Sequence, residues 1–182
     1  MDNITIQQLR KVDSDSVRMV GTSLAFLRDD YPGFGHWYNQ TVVPSIGDNR
    51  MVFFASPQGD CNRLAGAMIL KKTFYEKKIC TLYIPDDFRG RGIGTAFMKK
   101  AIITLGDRHP VITVSEPRVT EFDSFLQRFG FKLYDSYSGY YRSGFHELSY
   151  NGPIEPLECN PKKVVYYFMP GFISQVPSVT CC

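Results

Sequence analysis

Apolar and polar residues alternate in the first segment of the chain and then recur at helical spacing. Residues 4–9 alternate as a half-buried strand does. The next apolar positions lie three or four residues apart, which predicts a helix with Ser14 or Asp15 as its cap. These positions are Val17, Val20, Leu24 and Leu27. A second, short helix is predicted for residues 36–43, ahead of Pro44.

Three apolar segments predict three strands in the middle of the chain. Residues 51–55 and 64–70 flank a turn with proline and glycine at residues 56–60, which favours a hairpin. Residues 82–84 form the third strand and lead into a loop rich in arginine and glycine. Beyond this loop, apolar residues four positions apart predict a helix that packs on a sheet and stops at Gly106. They are Ile93, Phe97, Ala101 and Leu105.

The last part of the pattern again combines strands with a helix. A strand is predicted at residues 111–114, a helix at 120–129 and two strands at 131–137 and 145–150. The complete order is βααβββαβαββ. Pattern alone therefore places the fold in the α/β or α+β class, without deciding how the strands pair.

Length and composition are those of one compact domain, with 182 residues of which 43% are hydrophobic and 21% charged. We predict that the domain spans residues 1–150 and that residues 151–182 form an extension. Residues 164–169 are apolar enough for one more strand, docked either on the domain or on the second copy of a homodimer. The formal net charge of +3 is much lower than the strongly basic charge expected of a dedicated nucleic-acid binder.

The cysteines are odd in number and show neither the Cys-x-x-Cys spacing of a metal site nor the pattern of a disulfide framework. They are Cys61, Cys80, Cys159, Cys181 and Cys182. No apolar run approaches the ~18 residues of a membrane span, and the N-terminus lacks the basic and apolar regions of a signal peptide. These features predict a cytoplasmic protein without metal and without membrane contact.

The loop between the third strand and the following helix has the features of an anion site. Glycines at positions 90, 92 and 94 let the backbone turn sharply and approach a ligand closely. The free amides of the first helical turn, together with the helix dipole, add positive potential at the same place. Arg89 and Arg91 supply side-chain charge that suits phosphate oxygens. A nucleotide-type cofactor is the predicted ligand.

Two common phosphate-binding motifs do not fit this loop. No lysine and hydroxyl pair follows the glycines as a P-loop requires, and Thr95 stands where the dinucleotide fingerprint needs its third glycine. Instead, Arg89, Gly92 and Gly94 match the pattern Arg/Gln-x-x-Gly-x-Gly/Ala. The segment thereby resembles the acetyl-coenzyme A signature of the GCN5-related N-acetyltransferase (GNAT) superfamily. Two alternatives stay open, a plain strand-to-helix turn with solvated arginines and a loop that contacts RNA phosphates.

The resemblance implies a mixed, mostly antiparallel sheet with helices on both faces, and acetyl-CoA as the cosubstrate. It also implies a bulge in the strand ahead of the loop. Divergence of that strand from its parallel neighbour would free backbone groups for the pantetheine arm. The residues predicted to bind the cofactor therefore come from this strand and this loop. They are Leu82, Tyr83, Ile84, Arg89, Gly90, Arg91, Gly92, Ile93, Gly94 and Thr95.

Acetyl transfer to an amine needs a general base, and departure of the thiolate is helped by a general acid. Glu116, just beyond the predicted strand at residues 111–114, is the predicted base, with a helix cap as its alternative role. Many members of the superfamily use a tyrosine as the acid. Here the positions that match the surrounding pattern hold Val119, Phe122 and Leu126, so that tyrosine is missing.

A different phenol is therefore predicted as the acid, unless the thiolate leaves without one. Tyr137 and Tyr141 of the late hairpin are the chosen candidates, and Tyr134 and Tyr140 are further ones. For each of the four tyrosines, packing is the alternative role. The other candidates for the general base are His146 and Glu76.

The sequence therefore predicts an acetyl-CoA-dependent N-acetyltransferase that acts directly on a primary amine of a small molecule or a peptide. An aromatic segment suits a bulky or cationic acceptor, or else fills the core; it contains Tyr31, Phe34, Trp37 and Tyr38. Toxin-type acetylation of aminoacyl-tRNA is a subordinate alternative, and the one case in which a nucleic acid is an expected partner. A catalytically silent acyl-CoA-binding regulatory module is the rival interpretation, because of Val119 and Leu126.

Overall fold

A seven-stranded sheet forms the centre of the computed structural model, which describes residues 3–60 and 63–154. The strand order across the sheet is β1-β2-β3-β4-β5-β7-β6. β4 and β5 run parallel, and the other neighbours are antiparallel. The strands are β1 Ile4–Gln8, β2 Arg50–Pro57, β3 Gly66–Lys72, β4 Lys77–Tyr83, β5 Val111–Ser115, β6 Leu133–Ser138 and β7 His146–Tyr150.

Helices cover both faces of this sheet. They are α1 Ser14–Ser23, α2 Phe34–Trp37, α3 Ile93–Leu105 and α4 Val119–Arg128. α3 and α4 pack on one face, where Phe53, Met68 and Phe97 are fully buried. α1 and α2 pack on the other face around Val20 and Ile69. The predicted fold class, the order βααβββαβαββ and the placement of helices on both faces are confirmed.

Several predicted boundaries are wrong. β2 ends at Pro57 rather than at residue 55, β3 spans Gly66–Lys72 rather than residues 64–70, and β6 begins at Leu133 rather than at residue 131. β4 begins at Lys77 rather than at residue 82, because the charged residues at its start belong to the strand and not to a turn. α2 begins at Phe34, two residues early, and continues through a wider π-type turn to a final 3-10 turn at Val43–Ser45. The strand predicted at residues 164–169 lies outside the described residues.

β4 carries the irregularity on which the site depends. Its pairing with β3 matches Leu70 with Ile79 and Ile69 with Thr81, so Cys80 is an extra residue in a bulge. On the other side, β4 pairs with β5 only at residues 78 and 79. Beyond Ile79 the two parallel strands part, and the sheet opens between them.

The helices of the described residues are all too short or too polar to cross a membrane. The longest, α3, has 13 residues and lies against the sheet through one buried side. Gly106 ends it in the left-handed conformation that the sequence predicts for a glycine at this position, with φ of 64°.

We expect Phe97→Ala to lower the free energy of unfolding by about 3–5 kcal/mol, because the ring is fully buried between α3 and the sheet. Ile103→Ala on the exposed side of the same helix is the matched control, and its effect should stay near zero. Urea unfolding followed by circular dichroism measures both. Equal losses in the two variants would contradict this packing of α3.

Candidate active site

An open cleft of about 1010 Å³ crosses the sheet where β4 and β5 part. Its walls come from both faces of the sheet. The first turn of α3 and part of α4 line it on one side, and the segment from residue 26 to residue 41 lines it on the other. A ligand in this cleft would reach from the arginine and glycine loop to the opposite face, through the gap between the two strands.

The glycine loop presents backbone amides to this cleft. Gly90 and Gly92 adopt left-handed conformations with φ of 74° and 81°, and space is open where a Cβ would stand at either one. The first bond within α3 runs from the amide of Ala96 to the carbonyl of Gly92, at 3.0 Å. The amides of residues 93–95 therefore precede the first bonded donor and are free to bind an anion. This arrangement fits a pyrophosphate group.

The two arginines of the loop are engaged with protein groups. The Arg89 guanidinium lies 3.0 Å from a carboxylate oxygen of Asp86 and 3.0 Å from one of Glu121. Its Nε also donates to the carbonyl of Ile84, so it ties the loop to the end of β4. Arg91 stacks on the Phe88 ring at 5.2 Å and is not among the described residues that line the cleft. The amides and the helix dipole are therefore the features of the loop that stay available to an anion.

The end of β4 gives the cleft its second feature, an unpaired strand edge. Leu82 and Ile84 pack toward the core under α3, whereas the Tyr83 ring faces the other way and lies 4.7 Å from the Phe26 ring. All three of these predicted residues line the cleft. Since the pairing with β5 stops at Ile79, the edge of β4 beyond it is available to an extended ligand arm.

The arrangement of strands and helices matches solved acetyltransferase structures. The ribosomal-protein-S18-alanine N-acetyltransferase of Escherichia coli matches with a TM-score of 0.60 at 16% identity, over 81% of this chain and 92% of that chain. A protein of Desulfovibrio desulfuricans assigned to the GNAT family matches with a TM-score of 0.59 at 15% identity, over 81% and 97%. The chain has the GNAT fold.

A third GNAT-fold match is an aminoglycoside 6'-N-acetyltransferase complexed with coenzyme A, with a TM-score of 0.57 and 11% identity over 80% of this chain and 94% of that chain. No family model matches the sequence, and a comparison with curated proteins gives no match. At these identities the structural likeness shows the fold, and the chemistry of the site has to be argued from the residues of this chain.

Glu116, the predicted base, is exposed and is not among the described residues that line the cleft. Its carboxylate accepts a hydrogen bond from the amide of His146 at 3.1 Å. His146 is exposed as well, with Nδ1 3.0 Å from the hydroxyl of Ser136. Glu76, in contrast, is buried, lines the cleft and pairs with Lys71 at 2.7 Å. The geometry therefore separates Glu116 and His146 from the cleft.

The two predicted tyrosines also differ in position. Tyr141 lines the cleft, and its ring packs edge-on against Tyr31 at 5.4 Å and against Tyr140 at 4.6 Å. Burial and the nearby Glu147 raise the pKa of Tyr141, so its phenol stays protonated near neutral pH. Tyr137 packs against Tyr140 at 5.9 Å but lies outside the cleft-lining set of the described residues.

Glu147, which the sequence prediction missed, lies next to the cleft, behind Tyr31 of its wall. It is 3% exposed on β7, opposite Ser115 of β5, and the Tyr31 hydroxyl donates to its Oε1 at 3.3 Å. Burial raises the pKa of Glu147 to about 7, although hydrogen bonding by Thr113 and the Lys78 charge favour the ionised form. The sequence signal that could have indicated Glu147 is an acidic residue in the middle of a predicted strand.

We expect the pKa of Glu147 to be visible in the pH dependence of stability. A carboxyl group whose pKa is raised on folding binds its proton more tightly in the native state, so native stability falls as pH rises from about 4.5 to about 7. Glu147→Gln removes this loss. Its free energy of unfolding relative to wild type should therefore increase by about 3 kcal/mol between pH 4.5 and pH 8.

Urea unfolding at the two pH values gives this difference directly, since other titrating groups cancel between variant and wild type. Glu116→Gln is the matched control, because it makes the same substitution at an exposed carboxylate. A pH-independent difference for Glu147→Gln would show that its carboxyl group titrates normally.

Proposed function

We propose that the protein is an acetyl-CoA-dependent N-acetyltransferase that transfers the acetyl group directly to a primary amine. The supporting observation is that one cleft combines a glycine loop at a helix N-terminus with the open edge of a bulged strand. The GNAT fold and the N-acetyltransferases among its structural matches agree with this proposal. The cytoplasm is the proposed compartment, because the number and spacing of the cysteines suit a reducing environment.

In this proposal the cofactor lies along the loop and the strand. The amides from Gly92 to Thr95, with Gly90, hold the pyrophosphate, and Arg89 keeps the loop in place through its two carboxylate partners. Arg91 stays a predicted contact at the rim. The backbone at Leu82, Tyr83 and Ile84 binds the pantetheine arm as an added strand. Bound acetyl-CoA would supply the activated thioester at the gap in the sheet.

The acceptor amine must lose a proton, and Glu147 is the proposed base in place of Glu116. Its carboxylate is connected to the cleft by the Tyr31 hydroxyl, which lies at the cleft wall and donates to it. A proton can pass from the amine through this hydroxyl to the carboxylate. A pKa of about 7 suits a base that works near neutral pH.

Tyr141 keeps the proposed role of the acid. It is a protonated phenol at the cleft wall, next to Tyr31, and it can donate to a departing thiolate. Tyr137 has less support, because it packs against Tyr140 and is not among the described residues that line the cleft. The absence of a tyrosine at Leu126 therefore does not by itself remove an acid from the cleft.

Gly94→Glu should weaken acetyl-CoA binding at least tenfold while the protein stays folded. The new side chain would place a negative charge at the phosphate end of the cleft. A Cβ at this position would make only ordinary contact with Phe125, at 3.6 Å, and a glutamate in the first helical turn suits the helix dipole. Calorimetric titration with acetyl-CoA measures the affinity, and circular dichroism confirms the fold.

Ala96→Glu, exposed in the same turn, is the charge-matched control and should bind nearly as wild type does. Equal affinities for wild type and Gly94→Glu would contradict the proposed cradle. Failure of folded wild type to bind acetyl-CoA would overturn the proposed function. Binding without thiol release with any amine would favour the silent acyl-CoA-binding module instead.

The rate of acetyl transfer should depend on ionisation of Glu147. Since the base must be deprotonated, we expect kcat/KM to fall as pH decreases through about 7. Glu147→Gln should lower kcat/KM by about 100-fold and abolish this acid limb. A thiol-release assay between pH 5.5 and pH 9 provides the profile. Retention of the acid limb in Glu147→Gln, or its loss in Glu116→Gln, would assign the base elsewhere.

A further inference from the structure

Three cationic residues stand in one row across the sheet, on the face covered by α1 and α2. The register pairs Arg50 of β2 with Lys71 of β3, and Lys71 with Lys78 of β4. All three residues line the cleft. Like charges that face each other on adjacent strands destabilise a sheet, so this row is costly in the absence of a ligand.

Among residues 3–60 and 63–154, the nearby carboxylates do not balance the charges of Arg50 and Lys78. Glu76 pairs with Lys71 at 2.7 Å, whereas neither Arg50 nor Lys78 forms an ion pair with a described carboxylate. Glu147 contributes a carboxylate whose charge acts on Lys78, but that carboxyl group is only partly ionised near neutral pH. Burial raises the pKa of the Cys80 thiol, which stands among the same four charged groups and stays neutral. Within the part of the chain that the structure describes, Arg50 and Lys78 therefore keep a net positive charge.

Arg50 and Lys78 are also withdrawn from water, since each is only 7% exposed. Nη1 of Arg50 donates to the side chain of Asn49 at 3.2 Å. Its Nε is buried and has no hydrogen-bond partner within residues 3–60 and 63–154. A buried guanidinium with an unused donor costs free energy unless an anion completes it.

The row lies close to the proposed point of reaction. Lys78 precedes the bulge residue Cys80 by two positions, a distance of ~6–7 Å along the strand. The gap between β4 and β5 opens at the same place. A small molecule can therefore place an anionic group on the row while its amine lies a few bonds away at the gap, beside the aromatic wall that includes Tyr31 and Trp37.

We propose that the acceptor is an amine that carries a carboxylate or phosphate group, and that Arg50, Lys71 and Lys78 bind this group. The inference rests on the proposed function and specifies its acceptor. Polycationic amines are disfavoured by the same charges. An anion between Arg50 and Lys78 would use the free Nε and relieve the repulsion along the row.

Matched pairs of amines test this inference by thiol release with saturating acetyl-CoA. L-phenylalanine and its amide test a carboxylate; ethanolamine phosphate and ethanolamine test a phosphate. We expect wild type to favour the anionic member of at least one pair tenfold or more in kcat/KM. Arg50→Met should lose at least tenfold on that member and change little on the neutral one. For Lys78→Met the ratio of the anionic to the neutral kcat/KM should fall at least tenfold, and this ratio is the readout because the Lys78 charge also acts on Glu147.

Lys77→Met is the matched control, because it removes the same charge one residue away and on the opposite side of the strand. Lys77→Met should keep the wild-type preference for the anionic amine. Equal or higher rates for the neutral amines in wild type would overturn the inference. Normal acetyl-CoA binding in that case would leave the proposed function standing, whereas loss of acetyl-CoA binding would remove both.

Stability provides a readout that does not depend on turnover. Removing one charge from an unbalanced row should raise the Tm of Lys78→Met by a few degrees above wild type, whereas a structural ion pair would give a decrease. With acetyl-CoA at saturation, 10 mM N-acetylglycine or phosphate should raise the Tm of wild type more than that of Lys78→Met. Equal shifts in both proteins, or a lower Tm for Lys78→Met without ligand, would overturn the inference.

Discussion

The parting of β4 from β5 is the constraint on which the rest of the structure depends. Two parallel strands that stay paired would close the sheet and leave no path between its faces. Here the pairing ends at Ile79, and the bulge at Cys80 turns the strand away from its neighbour. Backbone groups beyond that point have lost a strand partner, and a buried backbone group without a partner is costly. A ligand in the cleft would supply the hydrogen-bond partners that these backbone groups lack within the sheet.

Charge is arranged around this gap in a way that stability alone does not explain. Glu147, Arg50 and Lys78 are nearly buried in a sheet whose other inward positions are largely apolar. Apolar residues of similar volume would usually cost less at such positions. Groups of this kind persist where chemistry needs a perturbed pKa or an unused hydrogen-bond donor, which connects them to the proposed base and to the proposed acceptor site.

The GNAT fold does not name the acceptor. Its structural matches include an enzyme named for the alanine of a ribosomal protein and one named for an aminoglycoside. A fold does not fix the substrate, so the acceptor has to be argued from the residues of this chain. In the proposed function the acceptor lies against the aromatic wall around Tyr31 and Trp37 and the row on β2, β3 and β4.

Local sequence determined the features that depend on neighbouring residues. The helical period from Ile93 to Leu105, the glycine that ends α3 and the left-handed glycines ahead of it are all readable within about 25 residues. The residue pairs of the proposed acceptor site cannot be read in this way. Lys71 and Lys78 meet because β3 and β4 are in register, and Arg50 joins them from β2. Only the pairing of strands brings these residues together.

Glu116 and Glu147 show the same limit of what can be inferred from local sequence. Glu116 follows β5 directly and was chosen from its place in the sequence, whereas Glu147 comes 31 residues later and lies opposite Ser115 in the folded sheet. Whether a carboxylate is exposed or buried depends on the side of the strand it occupies and on what packs against that side. The sequence by itself determined the order of the elements and the glycine loop ahead of α3. The tertiary structure decided which charges are buried, because burial is a property of contacts between distant segments.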